Sequence, residues 1–227
     1  MCLGRDRHEC PWGEASVGHG RRDSRVDPEL ARSAVESETR GLTDPALAIG
    51  DGALGFWAAL EEIFSGTRHQ RCWCHKTQNV LNALPKSVYP KAKQALQEIW
   101  RAETKVDAER AFGGFLSTYD LKYPKATACL QKDREELLML CVFPAAHWPS
   151  LRTTNPIEST FGTIRHRTTR TKGCLTRDGM LHMMFKLGQC AENTWRWLGG
   201  FNELPKVIAG IQFTDGIEQI TTDSVAA

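Results

Sequence analysis

Residues 46–52 read ALAIGDG, and residues 55–64 read GFWAALEEIF. The first stretch is a short apolar run that ends on an acid and a glycine. The second carries Phe56, Leu60 and Phe64 near helical spacing, the mark of an amphipathic helix. A strand, a tight turn and a helix in this order suit an α/β sheet with a functional acid at the carboxyl end of a strand. Asp51 stands at that position. A carboxylate presented at the mouth of a sheet suits a metal or phosphate site. The same placement suits a turn aspartate whose side chain caps the following helix.

Outward from this unit, PELARSAVESETRGL (28–42) predicts a helix with proline in its first turn and Gly41 just past its end. Residues 1–28 are rich in Gly, Arg and His without periodicity, and are expected to be a disordered or foreign extension. HQRCWCHKTQNVLNAL (69–84) predicts a second strand running into a helix closed by Pro85. From Val88 to Leu140 three stretches carry a 3.6-residue apolar pattern, and Pro90, Gly113–Gly114 and Pro124 are expected to kink or end helices between them. FPAAHWPSLRTTN (143–155) reads as a loop, PIESTFGTIRHRTTR (156–170) as a helix, and DGMLHMMFKLGQCAENTWRWL (178–198) as a last long helix.

Composition bounds the function classes. The 227 residues are 41% hydrophobic and 8% aromatic, as a globular core requires. The longest apolar run, Leu137–Phe143, is far short of the roughly 20 residues that span a bilayer. The first residues carry no apolar secretory segment, so an intracellular protein with reduced thiols is expected. Net charge is only +2, but Arg152, Arg165, Arg167, Arg170, Lys172 and Arg177 fall in one stretch with Glu158 as its only acid. Such a stretch can neutralise nucleic-acid phosphates, or be a solvated basic face.

Glu158 lies in Thr153-Thr154-Asn155-Pro156-Ile157-Glu158. With Asn155 as N-cap and Pro156 following, Glu158 would complete a capping box. A carboxylate on the first turn of a helix is also rigidly aimed, as a metal ligand must be. Cys72-Trp73-Cys74-His75 could open a zinc site, but three donors this close cannot all bind easily and paired Cys-x-x-Cys knuckles are missing. A structural role for Cys72 and His75 is the preferred reading. Trp195 and Trp197 are expected to serve helix packing rather than base stacking.

IGDGALGFWAAL, RCWCHKTQNVL and RTTNPIESTFGTIRHRTTRTKG resemble, in order, the signatures of the mutator-type (insertion-sequence 256-like) bacterial transposases, over about residues 30–215. The resemblance implies a ribonuclease-H-like α/β fold with an Asp, Asp, Glu triad and an all-helical insertion between the second Asp and the Glu. Asp51 would match the second Asp, Glu158 the Glu, and Cys72 and His75 a Cys-x-x-His motif. The implied layout is a partial ribonuclease-H-like core over 29–77, the insertion over 78–147, a return to the core over 148–215, and a flexible tail over 216–227. The implied chemistry is two-metal phosphoryl transfer with Mg²⁺ (Mn²⁺ as substitute), the ions about 4 Å apart. Asp51 and Glu158 would be the metal ligands, and Arg152, Arg165, Arg167, Arg170 and Lys172 would contact terminal-repeat DNA, mainly through phosphates. Target DNA, a homo-oligomer on paired ends and a cytoplasmic, nucleoid-associated location follow from the same resemblance. The first Asp has no match in an apolar strand upstream of Asp51, since Asp44 precedes Pro45 and reads as a turn. The chain is therefore expected to be a truncated form, weak or inactive alone. The competing expectations are a non-catalytic DNA-binding fragment that competes for element ends, and a small zinc-stabilised module.

Overall fold

The computed structural model describes residues 28–170 and 176–219. Residues 1–27 of the expected extension, Lys172 and residues 220–227 of the expected tail lie outside these residues. The chain opens with α1 (Pro28–Thr39), which ends where the sequence places its stop. Gly41 adopts φ +94°, and the Gly41 and Leu42 amides donate to the carbonyls of Glu38 and Ser37. This is the Schellman closure that a glycine past the helix end makes possible.

Next comes a strand–helix–strand unit of β1 (Leu47–Gly50), α2 (Leu54–Ile63) and β2 (Arg68–Arg71). The strands pair in parallel, Leu47 opposite Arg68 and Gly50 opposite Arg71. Helix α3 (Trp73–Asn82) follows at once, then α4 (Tyr89–Arg101), α5 (Lys105–Tyr119), α6 (Pro124–Gln131) and α7 (Arg134–Leu138). Prolines 90 and 124 sit in the first turns of α4 and α6, where a missing amide costs nothing. The stretch read as a loop over 143–155 instead forms a 3₁₀ turn (Ala145–His147) and α8 (Trp148–Leu151), with His147 and Trp148 buried. Helices α9 (Asn155–Arg170) and α10 (Arg177–Glu192) pack on each other. The chain closes with α11 (Leu204–Ile208) and a hairpin of β3 (Phe213–Thr214) and β4 (Ile217–Glu218).

The protein is thus mainly helical, and among the described residues its one parallel sheet has two strands. That is less sheet than an α/β reading anticipates. The main hydrophobic core lies among α3–α8, around Val80, Leu96, Phe112, Phe115, Leu130 and Leu137, all close to fully buried. Gln70 fastens the sheet to this core. Its buried amide donates to the Leu137 carbonyl at 3.2 Å, and its oxygen accepts from the Leu140 amide at 2.8 Å. A buried side-chain amide satisfied on both ends fixes register without leaving an unpaired polar group.

Gly113 and Gly114 do not break a helix as anticipated, for α5 runs through both. Phe112 and Phe115 are buried on either side and hold the turn by packing. Tertiary burial here overrides weak helix propensity. A Cβ at either glycine would meet nothing within 4 Å. Gly113→Ala and Gly114→Ala are each expected to raise unfolding stability by about 0.5–1 kcal/mol, and an unchanged or lower urea midpoint would contradict this.

The closing hairpin is unforeseen, although its Asp215-Gly216 turn is a strong hairpin signal. Both residues take positive φ, 50° and 79°. The hairpin is anchored by hydrogen bonds from the Ala145 amide to the Gly216 carbonyl (3.1 Å) and from the Lys105 amide to Asp215 Oδ1 (2.6 Å). Ile217 and Glu218 are therefore paired within the stretch anticipated as a flexible tail. No helix among the described residues is long and apolar enough to cross a membrane.

Candidate active site

The carboxyl ends of β1 and β2 lie side by side, and each delivers a chemically useful residue. Beyond β1, Asp51 is exposed on a bend, and its Oδ1 accepts from the Ala53 amide at 3.0 Å. That bond makes an Asx turn ahead of α2, so the capping reading of Asp51 describes one of its oxygens. No described group donates to the other. Gly52 carries the turn at φ +92° because the Arg71 guanidinium fills the space where a side chain would stand. A Cβ on Gly52 would fall 1.1 Å from Arg71 Nη1.

Beyond β2, the Cys72 amide donates to the Gly50 carbonyl at 2.8 Å, and the Trp73 amide to the Arg152 carbonyl at 2.8 Å. The second bond joins the start of α3 to the turn before α9. The buried Cys72 sulfur strengthens that seam by accepting from the Thr154 amide at 3.4 Å, with the Thr154 hydroxyl oxygen also 3.4 Å away. Hydrogen bonding from Cys74, and then from His75 and Thr154, holds the Cys72 thiol down to about 2 against the opposing effect of burial.

One turn along α3, His75 faces the first turn of α9, with Nε2 3.7 Å from Glu158 Oε1. The Cys72 sulfur foremost, and then the Glu158 and Asp51 carboxylates, raise the His75 pKa above its usual value, while desolvation works against them. Asp51 and Glu158, 107 positions apart in sequence by subtraction of their numbers, thus act on one imidazole.

The start of α9 differs from the anticipated capping box. The Ile157 and Glu158 amides both donate to the Thr154 carbonyl (3.1 Å each), which makes Thr154 the cap. Asn155 instead turns its amide toward the Cys74 sulfur at 3.7 Å. The Glu158 carboxylate accepts the Thr154 hydroxyl and is not spent on backbone amides. A glutamate displaced by one residue from the box position is left to face His75.

Along α9, Asn155, Glu158, Ser159, Gly162, Thr163, His166 and Arg167 line a groove of about 430 Å³. Their spacing of three and four residues makes them one stripe of the helix. Arg170 continues that stripe by the same spacing, and Arg165 lies on its flank, about two turns beyond Glu158; all three arginines are exposed. Arg152 stands apart from this row. Its guanidinium lies 5.5 Å from the Trp100 ring and 5.9 Å from the Trp148 ring, and its Nε is buried without a hydrogen-bond partner. Trp195 and Trp197 are exposed beyond the end of α10, which corrects the expectation of helix packing. The Trp195 indole donates to Thr160 at 3.2 Å, and Trp197 leans on Phe201.

Residues 34–195 match the profile of the family described as Transposase, Mutator family. The chain belongs to that family. It is 52% identical over 203 residues to a transposase for insertion sequence element IST2 of Acidithiobacillus ferrooxidans, covering 88% of this chain and 68% of the relative. It is 48% identical over 181 residues to the transposase for insertion sequence element IS6120 of Mycolicibacterium smegmatis, covering 80% of this chain and 56% of that protein. A transposase for insertion sequence element IS406 of Burkholderia multivorans is 32% identical over 130 residues, 57% of this chain and 34% of its own length. The chain therefore spans between about a third and two thirds of these mutator-family relatives.

The donor set can be weighed against the divalent cation that the resemblance implies. Asp51 and Glu158 offer oxygen, the donor that Mg²⁺ prefers, and Mg²⁺ commonly takes only one or two carboxylates with water and phosphate completing its shell. In donor type the two carboxylates are of the kind one such ion takes. A second ion needs a further carboxylate, and no group of three or more His, Cys, Asp or Glu with metal-binding geometry occurs among the described residues. Asp44 is engaged elsewhere, its Oδ2 accepting from the Gly66 amide at 3.1 Å near the opposite end of β1.

Sequence reasoning missed Arg71, Lys76, Asp133 and Thr154. Arg71 and Lys76 both pair with Asp133, Arg71 Nε at 2.7 Å, which braces the floor beneath the Asp51 turn. The signal for Thr154 was present, since Thr153, Thr154 and Asn155 are all good caps and spacing alone does not choose among them.

Proposed function

We propose that this chain is the part of an insertion-sequence transposase that grips DNA ends and supplies two of the acids for phosphoryl transfer, in a ribonuclease-H-like setting interrupted by a helical insertion. The observation that supports the reading is that Asp51 stands exposed at the carboxyl end of β1 while the helix that follows the neighbouring strand β2 brings His75 Nε2 to 3.7 Å from Glu158 Oε1. Asp51 and Glu158 would hold a Mg²⁺ ion, and His75, 3.7 Å from Glu158, would help aim its carboxylate. The ion, when bound, polarises a phosphate oxygen for in-line attack by water or a 3′-hydroxyl. The α9 stripe lies along the backbone of the terminal repeat, where Arg165, Arg167 and Arg170 neutralise phosphates and fix register without reading sequence.

Two carboxylates are fewer than the triad of the implied mechanism, so the chain alone binds ends and does not cut them. This is the second reading, a competitor for element ends, and it is favoured by the engagement of Asp44 away from the site. Divalent-metal-dependent nicking of terminal-repeat DNA by the purified chain would overturn it. Oligomers on paired ends and target-DNA capture belong to the same proposal.

Fluorescence anisotropy with a terminal-repeat duplex tests the DNA part. Each phosphate contact adds about −0.9 to the slope of log K against log salt. Arg167→Ala with Arg170→Ala is expected to flatten that slope by about 1.8. Mn²⁺ titration followed by electron paramagnetic resonance tests the site, with binding lost in Asp51→Asn and in Glu158→Gln. An unchanged slope removes the α9 stripe from the interface, and unchanged Mn²⁺ binding removes the two acids from the metal.

A further inference from the structure

We propose that the cleft between α3, α4 and the α8–α9 turn is a nucleobase pocket, which takes a base unstacked from the DNA strand that lies along α9. This rests on the DNA reading above and adds a second, distinct contact to it. The cleft has a volume of about 400 Å³ and is walled by Trp73 of α3, Gln97 and Trp100 of α4, Arg152, and Asn155 of α9. That size is within the range of small-ligand sites.

The chemistry of the walls selects the ligand. An inorganic anion needs cations and amides but no indoles. A lipid or aliphatic ligand needs apolar walls but not a guanidinium and side-chain amides. A nucleobase presents both a π-face and a hydrogen-bonding edge, and pockets for extruded bases combine stacking with polar readout. Here two guanidinium groups approach Trp100, Arg101 at 5.2 Å and Arg152 at 5.5 Å from its ring. A base extends such a stack by lying on an indole or a guanidinium plane. Arg152 Nε is a buried donor with no partner, and Gln97 carries an amide on the same wall. Gln97, partly exposed, is suited to the edge of a base. Lys93, exposed at the rim, suits the phosphate that follows it.

The position of the cleft links it to the candidate active site. Asn155 lines both the cleft and the α9 groove that holds Glu158, so one residue forms a shared wall. A strand whose phosphate lies at Glu158 has its neighbouring base at the mouth of the cleft. Arg152, which departs from the basic row of α9, thereby acquires a role that the row does not explain.

Photo-cross-linking on the full chain tests this. The probe is a duplex with a short single-stranded overhang that carries 5-iodouracil at the junction, and cross-linked peptides are mapped by mass spectrometry. Cross-links are expected in the peptide containing Trp100. Gln97→Trp, which fills the cleft from a partly exposed position, is expected to lower their yield about tenfold, the effect of losing one base–aromatic stack. Its affinity for a blunt duplex stays unchanged, which also reports that the variant is folded. Cross-links confined to α9 peptides, or an undiminished yield in Gln97→Trp, overturn the pocket while leaving DNA binding in place. Failure of the unsubstituted chain to bind either DNA overturns the DNA reading itself.

Discussion

Asp133→Ala is expected to destabilise the protein by about 3–5 kcal/mol in urea unfolding at neutral pH. The Asp133 carboxylate is shared by Arg71 Nε and Lys76 Nζ, and the three side chains are only 13%, 3% and 14% exposed for Arg71, Lys76 and Asp133 in turn. Removing the acid strands two cations away from water. That is far costlier than losing a surface pair, which contributes about 0–1 kcal/mol. Lys76 retains one partner, the Cys129 carbonyl at 2.8 Å, which is too little to hold an ammonium ion there unaided. Burial alone would raise the Asp133 pKa, but the hydrogen bonds from Lys76 and Arg71 outweigh it and hold the pKa below the usual carboxylate value. A depressed folded pKa gives stability that is fully present above the unfolded value, about 3.9, and is lost as pH falls through the folded value. Unfolding midpoints of the unsubstituted chain should therefore fall below about pH 4, and those of Asp133→Ala should fall less steeply. A loss under about 1 kcal/mol at neutral pH would place the trio in the ordinary surface class.

Gly52→Ala should be nearly as damaging, and its harm is concentrated at the candidate site. The positive φ of Gly52 costs an L-residue roughly 1–2 kcal/mol by itself. The new Cβ would also overlap the Arg71 guanidinium, so Arg71 must leave and weaken its bond to Asp133. Together these should reach about 2–4 kcal/mol. Mn²⁺ affinity should be lost with them, because the Asx turn that aims Asp51 runs through Gly52. A double-mutant cycle separates the two causes. In an Arg71→Ala background the added cost of Gly52→Ala should shrink to the backbone strain alone. Equal costs in the two backgrounds would mean that Arg71 does not constrain the turn.

What was legible in the sequence was local. The β1–α2 unit, the α1 stop at Gly41 and the run from β2 into α3 follow from periodicity and turn chemistry within a dozen residues. Asp51 and Glu158 could be singled out because each sits beside an element boundary. The cap of α9 was not decidable, because three consecutive residues compete for it and the outcome depends on the Cys72 sulfur, 82 positions away from Thr154. The Asp133 network was invisible for the same reason, its partners being 62 residues apart for Arg71. Arg152 read as one more member of a basic row, and only packing shows that Trp100 and Trp148 withdraw it. The helix through Gly113–Gly114 was misjudged because propensity was weighed without the two phenylalanines that bury around it.

The seam that joins Cys72 to Thr154 also says something about the order in which the molecule is put together. Contacts this distant in sequence are closed late, because the entropy of a long intervening loop has to be overcome before they form. Here the loop is the helical core itself. Once α3–α8 have condensed, the ends of that loop are already neighbours and the seam closes at little further cost. The start of α3 and the cap of α9 are thus joined as a by-product of folding the segment between them.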